Sequence, residues 1–310
     1  MDADLSDRIG RADERFVPGT ADGELIEVEH LARYWWACSL APGRSVLDAG
    51  CGVGYGSAML ARAGATEVVG IDVSAKAIDA ASRRAPDNAS FVAGDIHALP
   101  FDDTSFDLAV CFEVIEHVDR QDEVIAELAR VLAPAGVLAL SSPNRDVYPA
   151  GNPHHLHEYV PDELRAALAA QFAHVELRRQ HAWLASAVLS DEQTADGSLR
   201  RRDELQVAKS IGRDPGSEPY TIALASREPL PDVPGAVVLG GLAEQALSRE
   251  LERSRAEIEA LSRVEAVLRE DAATLLAELD DKRQELRNVY GSVSWRVTEP
   301  LRRVKRRARR

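Results

Sequence analysis

Three acidic residues stand at or near the ends of apolar runs: Asp48, Asp72 and Asp95. The first lies in Val46-Leu-Asp-Ala-Gly-Cys-Gly-Val-Gly54. The second closes Glu67-Val-Val-Gly-Ile-Asp72, and the third closes Phe91-Val-Ala-Gly-Asp95. An apolar strand, alternating glycines and a second strand tipped by a carboxylate describe a nucleoside-binding βαβ unit. Glycines let a ligand approach bare backbone, and the second acid accepts both ribose hydroxyls. A dinucleotide would need Gly-x-Gly-x-x-Gly, so that its pyrophosphate sits on a helix N-terminus. Here the glycines fall at Gly50, Gly52, Gly54 and Gly56, with Tyr55 and Ser57 where the third fingerprint glycine would stand. Asp48 also sets a carboxylate where it would repel a diphosphate. Three acids suit a nucleoside bearing sulfonium and ammonium charges, S-adenosylmethionine (SAM), better than a nicotinamide dinucleotide.

Further motifs follow in order: Gly94-Asp-Ile-His-Ala-Leu-Pro-Phe101, Ser105-Phe-Asp-Leu-Ala-Val-Cys-Phe-Glu-Val-Ile-Glu-His117 and Val131-Leu-Ala-Pro-Ala-Gly-Val137. In order and spacing they resemble the class I SAM-dependent methyltransferases of the type 11 kind, closely over residues 45–180 and loosely to 226. The resemblance implies a Rossmann-like α/β fold with seven strands, the last antiparallel, and SAM as cofactor. Gly50, Cys51, Gly52 and Gly54 then face the methionine half, and Asp72 and Val73 the ribose. Asp95 and Ile96 border the adenine, while Phe112 and Glu113 end a strand beside the methionine chain. Arg33 is the candidate cation for the methionine carboxylate, with Phe16 closing the pocket. Their segments, Glu14-Arg-Phe-Val-Pro18 and Glu29-His-Leu-Ala-Arg-Tyr34, resemble methyltransferases of bacterial surface-polysaccharide biosynthesis.

Methyl transfer to a hydroxyl gains from a general base, typically ~10²–10⁴-fold. Histidines cluster in Asn152-Pro-His-His-Leu-His-Glu-Tyr159, and His117 stands at the end of an earlier motif. His155 and His117 are the candidate catalytic residues. Adjacent His154 and His155 point apart, so no metal is expected from this cluster with Glu158.

These residues need a frame. Apolar positions from Glu24 to Leu40 recur at helical spacing until Pro42-Gly43, within an N-terminal helical cap over 1–44. Strands are predicted at 45–49, 68–72, 90–93, 107–112 and 137–142, alternating with helical stretches, which means parallel strands and crossover helices. A helix at 161–170 and strands at 174–179 and 220–226 complete a domain over 45–228. The polar stretch 191–219 reads as an exposed insertion, a lid over the acceptor. Residues 229–240, opening Pro229-Leu-Pro-Asp-Val-Pro234, form a stiff linker.

From Leu247 to Val289 apolar residues recur at alternating steps of four and three, interrupted by Ser254, Glu265 and Lys282. A coiled coil over 241–291 follows, implying a homo-oligomer or a partner helix. The alternative is one amphipathic helix docked on the preceding domain. Residues 292–310 form a basic amphipathic tail. Seven of the last nine residues are basic, so a net charge of −14 leaves the remainder near −21. That acidic body argues against nucleic acid. Trp295 and the arginines suit an anionic membrane surface, a solvated charge run being the plainer alternative. Three scattered cysteines imply neither disulfides nor zinc, and no signal or span is visible. A cytoplasmic protein is expected, peripheral on the inner face of the plasma membrane. The expected reaction is O-methylation of a sugar hydroxyl or terminal group of a surface glycan or its lipid-linked precursor. The rivals are a quinone-like or secondary-metabolite acceptor, and a coiled-coil scaffold whose SAM-binding domain turns over weakly.

Overall fold

The structure is a computed structural model that describes residues 25–149, 152–183, 212–238 and 244–293, with 190, 191, 193, 297, 298 and 302. It divides into two units, residues 1–243 and 244–310.

In the first unit α1 (Leu25–Ala37) leads into β1 (Ser45–Ala49), α2 (Tyr55–Arg62), β2 (Glu67–Asp72), α3 (Ala75–Ser82) and β3 (Ala89–Ala93). After β4 (Phe106–Cys111) comes a 3₁₀ turn at Ile115–His117, then α4 (Gln121–Val131) and β5 (Leu132–Pro143). The unit ends with α5 (Pro161–Ala169), β6 (His174–Gln180) and β7 (Tyr220–Ser226). The sheet order is β3-β2-β1-β4-β5-β7-β6, and β7 runs antiparallel to both β5 and β6. This is the expected Rossmann-like seven-stranded sheet. Its order reverses between β1 and β4, so the carboxyl ends of these strands open a crevice where ligands of such sheets bind.

Two apolar layers follow from the two-residue period of the strands. Leu47, Ile71, Ala109, Leu138 and Leu140 face one core with Leu128 of α4 and Leu164 of α5. Val46, Val68, Leu108, Val110 and Ala139 face the other with Tyr34 and Trp36 of α1 and Leu60 of α2. Strand ends differ from expectation mostly by single residues, but β5 begins at Leu132 rather than 137. Leu132 already pairs with Phe106, and the register then shifts before Leu108. The Ala-Pro-Ala-Gly stretch is thus absorbed in the irregular start of a strand.

The linker expectation needs correction. Val233 is 3% exposed and belongs to the core that holds Trp36, whose Nε1 donates to the Pro234 carbonyl at 3.1 Å. Pro229–Pro234 therefore seals that face. Most of the insertion, at 194–211, lies outside the described residues, as does most of the tail, including Trp295.

The second unit contains α6 (Glu244–Gly291), one uninterrupted helix of 48 residues. Ile258, Leu261, Leu268, Leu275, Leu279, Leu286 and Val289 are exposed along it. No helix among the described residues is long and apolar enough to cross a membrane.

Candidate active site

A cleft of about 610 Å³ opens at the carboxyl ends of β1, β2 and β4. One end is the glycine loop. Gly50 N and Cys51 N donate to Ile71 O at 2.8 and 3.0 Å, and Gly52 N to Asp72 Oδ2 at 2.9 Å, so the loop is tied to the end of β2. Gly50 has φ +78°, and a Cβ there would lie 2.3 Å from Val114 Cγ2, so this position admits no side chain. Asp72 Oδ1 accepts from Ser74 N at 2.8 Å, and the two backbone donors together orient its carboxylate on the cleft wall.

Asp95 and Ile96 line the next stretch of wall. His97 N and Nδ1 reach Asp95 Oδ1 at 2.9 and 2.7 Å, and His97 Nε2 reaches the Asp119 carbonyl at 2.8 Å. The two hydrogen bonds from His97 to Asp95 hold its carboxyl below its ordinary range. Past Phe112, Glu113 takes a left-handed backbone at φ 54°, a conformation costing ~1–3 kcal/mol in a non-glycine residue. Ser141 secures it twice: Glu113 N donates to Ser141 Oγ at 3.0 Å, and that hydroxyl donates to Glu113 Oε1 at 2.7 Å.

The far end carries His117, His154, His155 and Tyr148. The rings of His117 and His155 meet edge to face with centroids 4.8 Å apart, and Tyr148 stacks against His155 at 5.7 Å. His155 Nδ1 lies 2.5 Å from Glu158 Oε1. Burial and the nearby Glu113 carboxylate push Glu116 well above the usual carboxylate range.

Eleven of the residues expected from sequence line this one cleft: Gly50, Cys51, Gly52, Asp72, Val73, Asp95, Ile96, Phe112, Glu113, His117 and His155. Three do not. Asp48 is fully buried beneath the loop, accepting from Tyr34 Oη at 3.0 Å and Ser57 Oγ at 2.6 Å, and burial pushes its carboxyl up to about 6. Its charge is consumed in holding α1 and α2 together rather than presented to a ligand. Gly54 caps α2 at φ +78°, and the space a Cβ would need is taken by Phe91 Cζ at 2.7 Å. Arg33 is 1% exposed and lies behind the wall: its Nη1 donates to Gln180 Oε1 at 2.8 Å and sits 3.8 Å from Glu113 Oε1. The Arg33 guanidinium also stacks 4.7 Å from the Tyr220 ring centre. It meets the cleft through Glu113 and Tyr220, both of which line it. Phe16 lies outside the described residues.

Sequence reasoning passed over Tyr34, Ser57, His97, Tyr148 and Tyr220. Tyr34, Ser57 and His97 lie within or beside the quoted motifs, but their partners are set by packing. His30, also on the cleft wall, contacts Tyr55 Oη at 2.9 Å, and burial with the Arg33 charge pushes its pKa down to about 2. It is a neutral imidazole at physiological pH.

Residues 47–140 match the family model described as a methyltransferase domain. That match takes in about a third of the chain. The chain is 36% identical over 154 residues to a probable S-adenosylmethionine-dependent methyltransferase of Mycolicibacterium smegmatis, covering 50% of this chain and 59% of that one. A similarly described protein of Mycobacterium tuberculosis is 38% identical over 130 residues, with 40% and 47% covered. A ubiquinone biosynthesis O-methyltransferase of Coxiella burnetii is 33% identical over 147 residues, with 40% and 62% covered. The chain thus spans 47–62% of the length of these relatives. The segment that matches the family model runs from β1 into β5 and carries the Gly50–Gly52, Asp72 and Asp95 wall; His155 lies beyond it. The bare glycine backbone and the oriented Asp72 carboxylate fit an adenosyl ribose and methionine chain.

Proposed function

We propose that the protein transfers a methyl group from SAM to a hydroxyl oxygen, with a sugar hydroxyl of a surface glycan or its lipid-linked precursor as acceptor. The observation that carries this reading is the continuity of one cleft, from the Asp72 carboxylate past Glu113 to the paired imidazoles of His117 and His155. Bound SAM supplies a methyl group made electrophilic by its sulfonium. Asp72 holds the ribose hydroxyls, Ile96 walls the adenine, and the Gly50–Gly52 backbone leaves room for the methionine chain. Glu113 marks the boundary between cofactor and acceptor. The His117–His155 end receives the acceptor hydroxyl and promotes loss of its proton, and Tyr148 and Tyr220 line the wall beside it. Holding the acceptor oxygen in line with the methyl supplies much of the acceleration, since effective molarity contributes up to ~7–11 kcal/mol.

The oxygen acceptor draws support from the C. burnetii relative, whose name describes an O-methyltransferase. The glycan draws support from the likeness of residues 14–18 and 29–34 to methyltransferases of bacterial surface-polysaccharide biosynthesis. A quinone-like acceptor is the second reading, favoured by the same relative. Pairing through α6 and a peripheral membrane site reached by the basic tail belong to the proposal, supported by the exposed apolar stripe and by seven basic residues among the last nine.

The test offers radiolabelled SAM to the purified protein with lipid-linked oligosaccharides or demethylated quinones. Label is expected on the sugar and lost in His155→Ala, with SAM affinity kept. Label on the quinone alone would select the second reading. Binding without transfer to any hydroxyl would leave the scaffold.

A further inference from the structure

Glu116, His117 and His155 each bring one potential ligand atom within 4.8 Å of the others. The first two come from the turn after β4, the third from the loop after β5. Hydrogen bonds lock these segments together. Leu156 N donates to Glu116 O at 2.7 Å, and Gln121 Nε2 donates to Ile115 O and His157 O at 2.6 and 2.9 Å.

Two further features bear on what the cluster holds. A carbonyl oxygen only accepts, so the contact of His117 Nδ1 with His154 O at 3.2 Å places the proton on Nδ1 and the lone pair of the neutral ring on Nε2. The Glu158 carboxylate, 2.5 Å from His155 Nδ1, fixes the same tautomer there. Imidazoles steered through one nitrogen by a carbonyl or carboxylate are the outer-shell arrangement of metal-ligating histidines. Moreover, Glu116 is 1% exposed, lines the cleft, and its Oε2 is buried with no hydrogen-bond partner among the described residues. A buried polar atom left in that state is costly and calls for a cation or donor.

We propose that Glu116, His117 and His155 bind one first-row divalent transition ion, with Glu158 steering His155 from behind. Two imidazoles and one carboxylate suit zinc, manganese or iron better than magnesium or calcium, which prefer all-oxygen sets. Three protein ligands leave coordination positions open toward the cleft. An acceptor hydroxyl bound there is acidified, as metal-bound water is, and gives its proton to solvent. The proposed O-methylation underlies this role for the acceptor; ion binding itself does not depend on it.

The test uses the tag-free full chain, stripped with chelator and titrated with Co²⁺ by visible absorption and with Zn²⁺ by calorimetry. One equivalent is expected, with enhanced cobalt d–d bands. Glu116→Gln and His155→Ala should each weaken Zn²⁺ binding at least tenfold, and Glu158→Gln about 10–100-fold. Circular dichroism checks folding, and Glu158→Gln, which leaves all three ligands in place, serves should a ligand variant misfold. A wild type that binds no cobalt, or a folded Glu116→Gln or Glu158→Gln protein that titrates as wild type does, would overturn the site. SAM calorimetry on the same samples separates the two readings. Failure of the wild type to take up SAM removes the methyltransferase proposal while the metal titration stands on its own.

Discussion

Asp48 makes the energetics of the site measurable. Its carboxylate is buried under the glycine loop between Tyr34 and Ser57, and its pKa rises from 3.8 to about 6. Each pH unit is worth about 1.4 kcal/mol, so keeping Asp48 ionised inside the fold costs about 3 kcal/mol relative to the unfolded chain. The folded pKa lies above the unfolded one. The stability that Asp48 contributes is therefore fully present below pH 3.8 and is lost as pH rises through about 6. Integrated between pH 4.5 and 7.5, about 2 kcal/mol of that total disappears. Asp48→Asn cannot ionise, and any other cost of the substitution is independent of pH. The assay is urea unfolding of wild type and variant at several pH values across this window. The wild-type-minus-variant difference should move by about 2 kcal/mol against the wild type as pH rises. Parallel profiles would refute the reasoning, because they would mean that Asp48 titrates alike in both states.

Asp72→Ala should weaken SAM binding by roughly two orders of magnitude by calorimetry, since hydrogen bonds to a charged acceptor are worth ~1.5–3 kcal/mol each. Gly56→Ala should destabilise the fold by about 1–3 kcal/mol in chemical denaturation, because the new Cβ would lie 2.1 Å from Cε1 of the buried Tyr34 ring. Leu268→Asp with Leu275→Asp, both on exposed positions of α6, should lower the sedimentation mass of the full chain while leaving SAM binding intact. A wild type that already sediments as a monomer would remove the coiled-coil pairing.

Much of this protein was legible in local chemistry. Apolar runs broken by turn residues set the seven strands, and apolar positions at helical spacing set α1. An acid or glycine following a strand must fall at the sheet's carboxyl edge, so Asp72, Asp95 and Gly50–Gly52 could be placed on one crevice before any coordinates. The heptad likewise fixed one long helix. Strand pairing across distance was less accessible: β5 starts early only because Leu132 finds Phe106 on the neighbouring strand.

Tertiary structure decided which polar groups face the cleft and which serve the scaffold. Asp48 and Asp72 look alike in sequence, yet Tyr34 and Ser57 close over one while backbone N–H groups aim the other at the cleft. Arg33 is drawn behind the wall by Gln180, 147 residues away. His117 and His155 converge only because their two loops share backbone hydrogen bonds. A residue's type and its neighbours in the chain fix what it can bind. What it does bind depends on burial and on partners from distant segments, because desolvation and hydrogen bonding act through space.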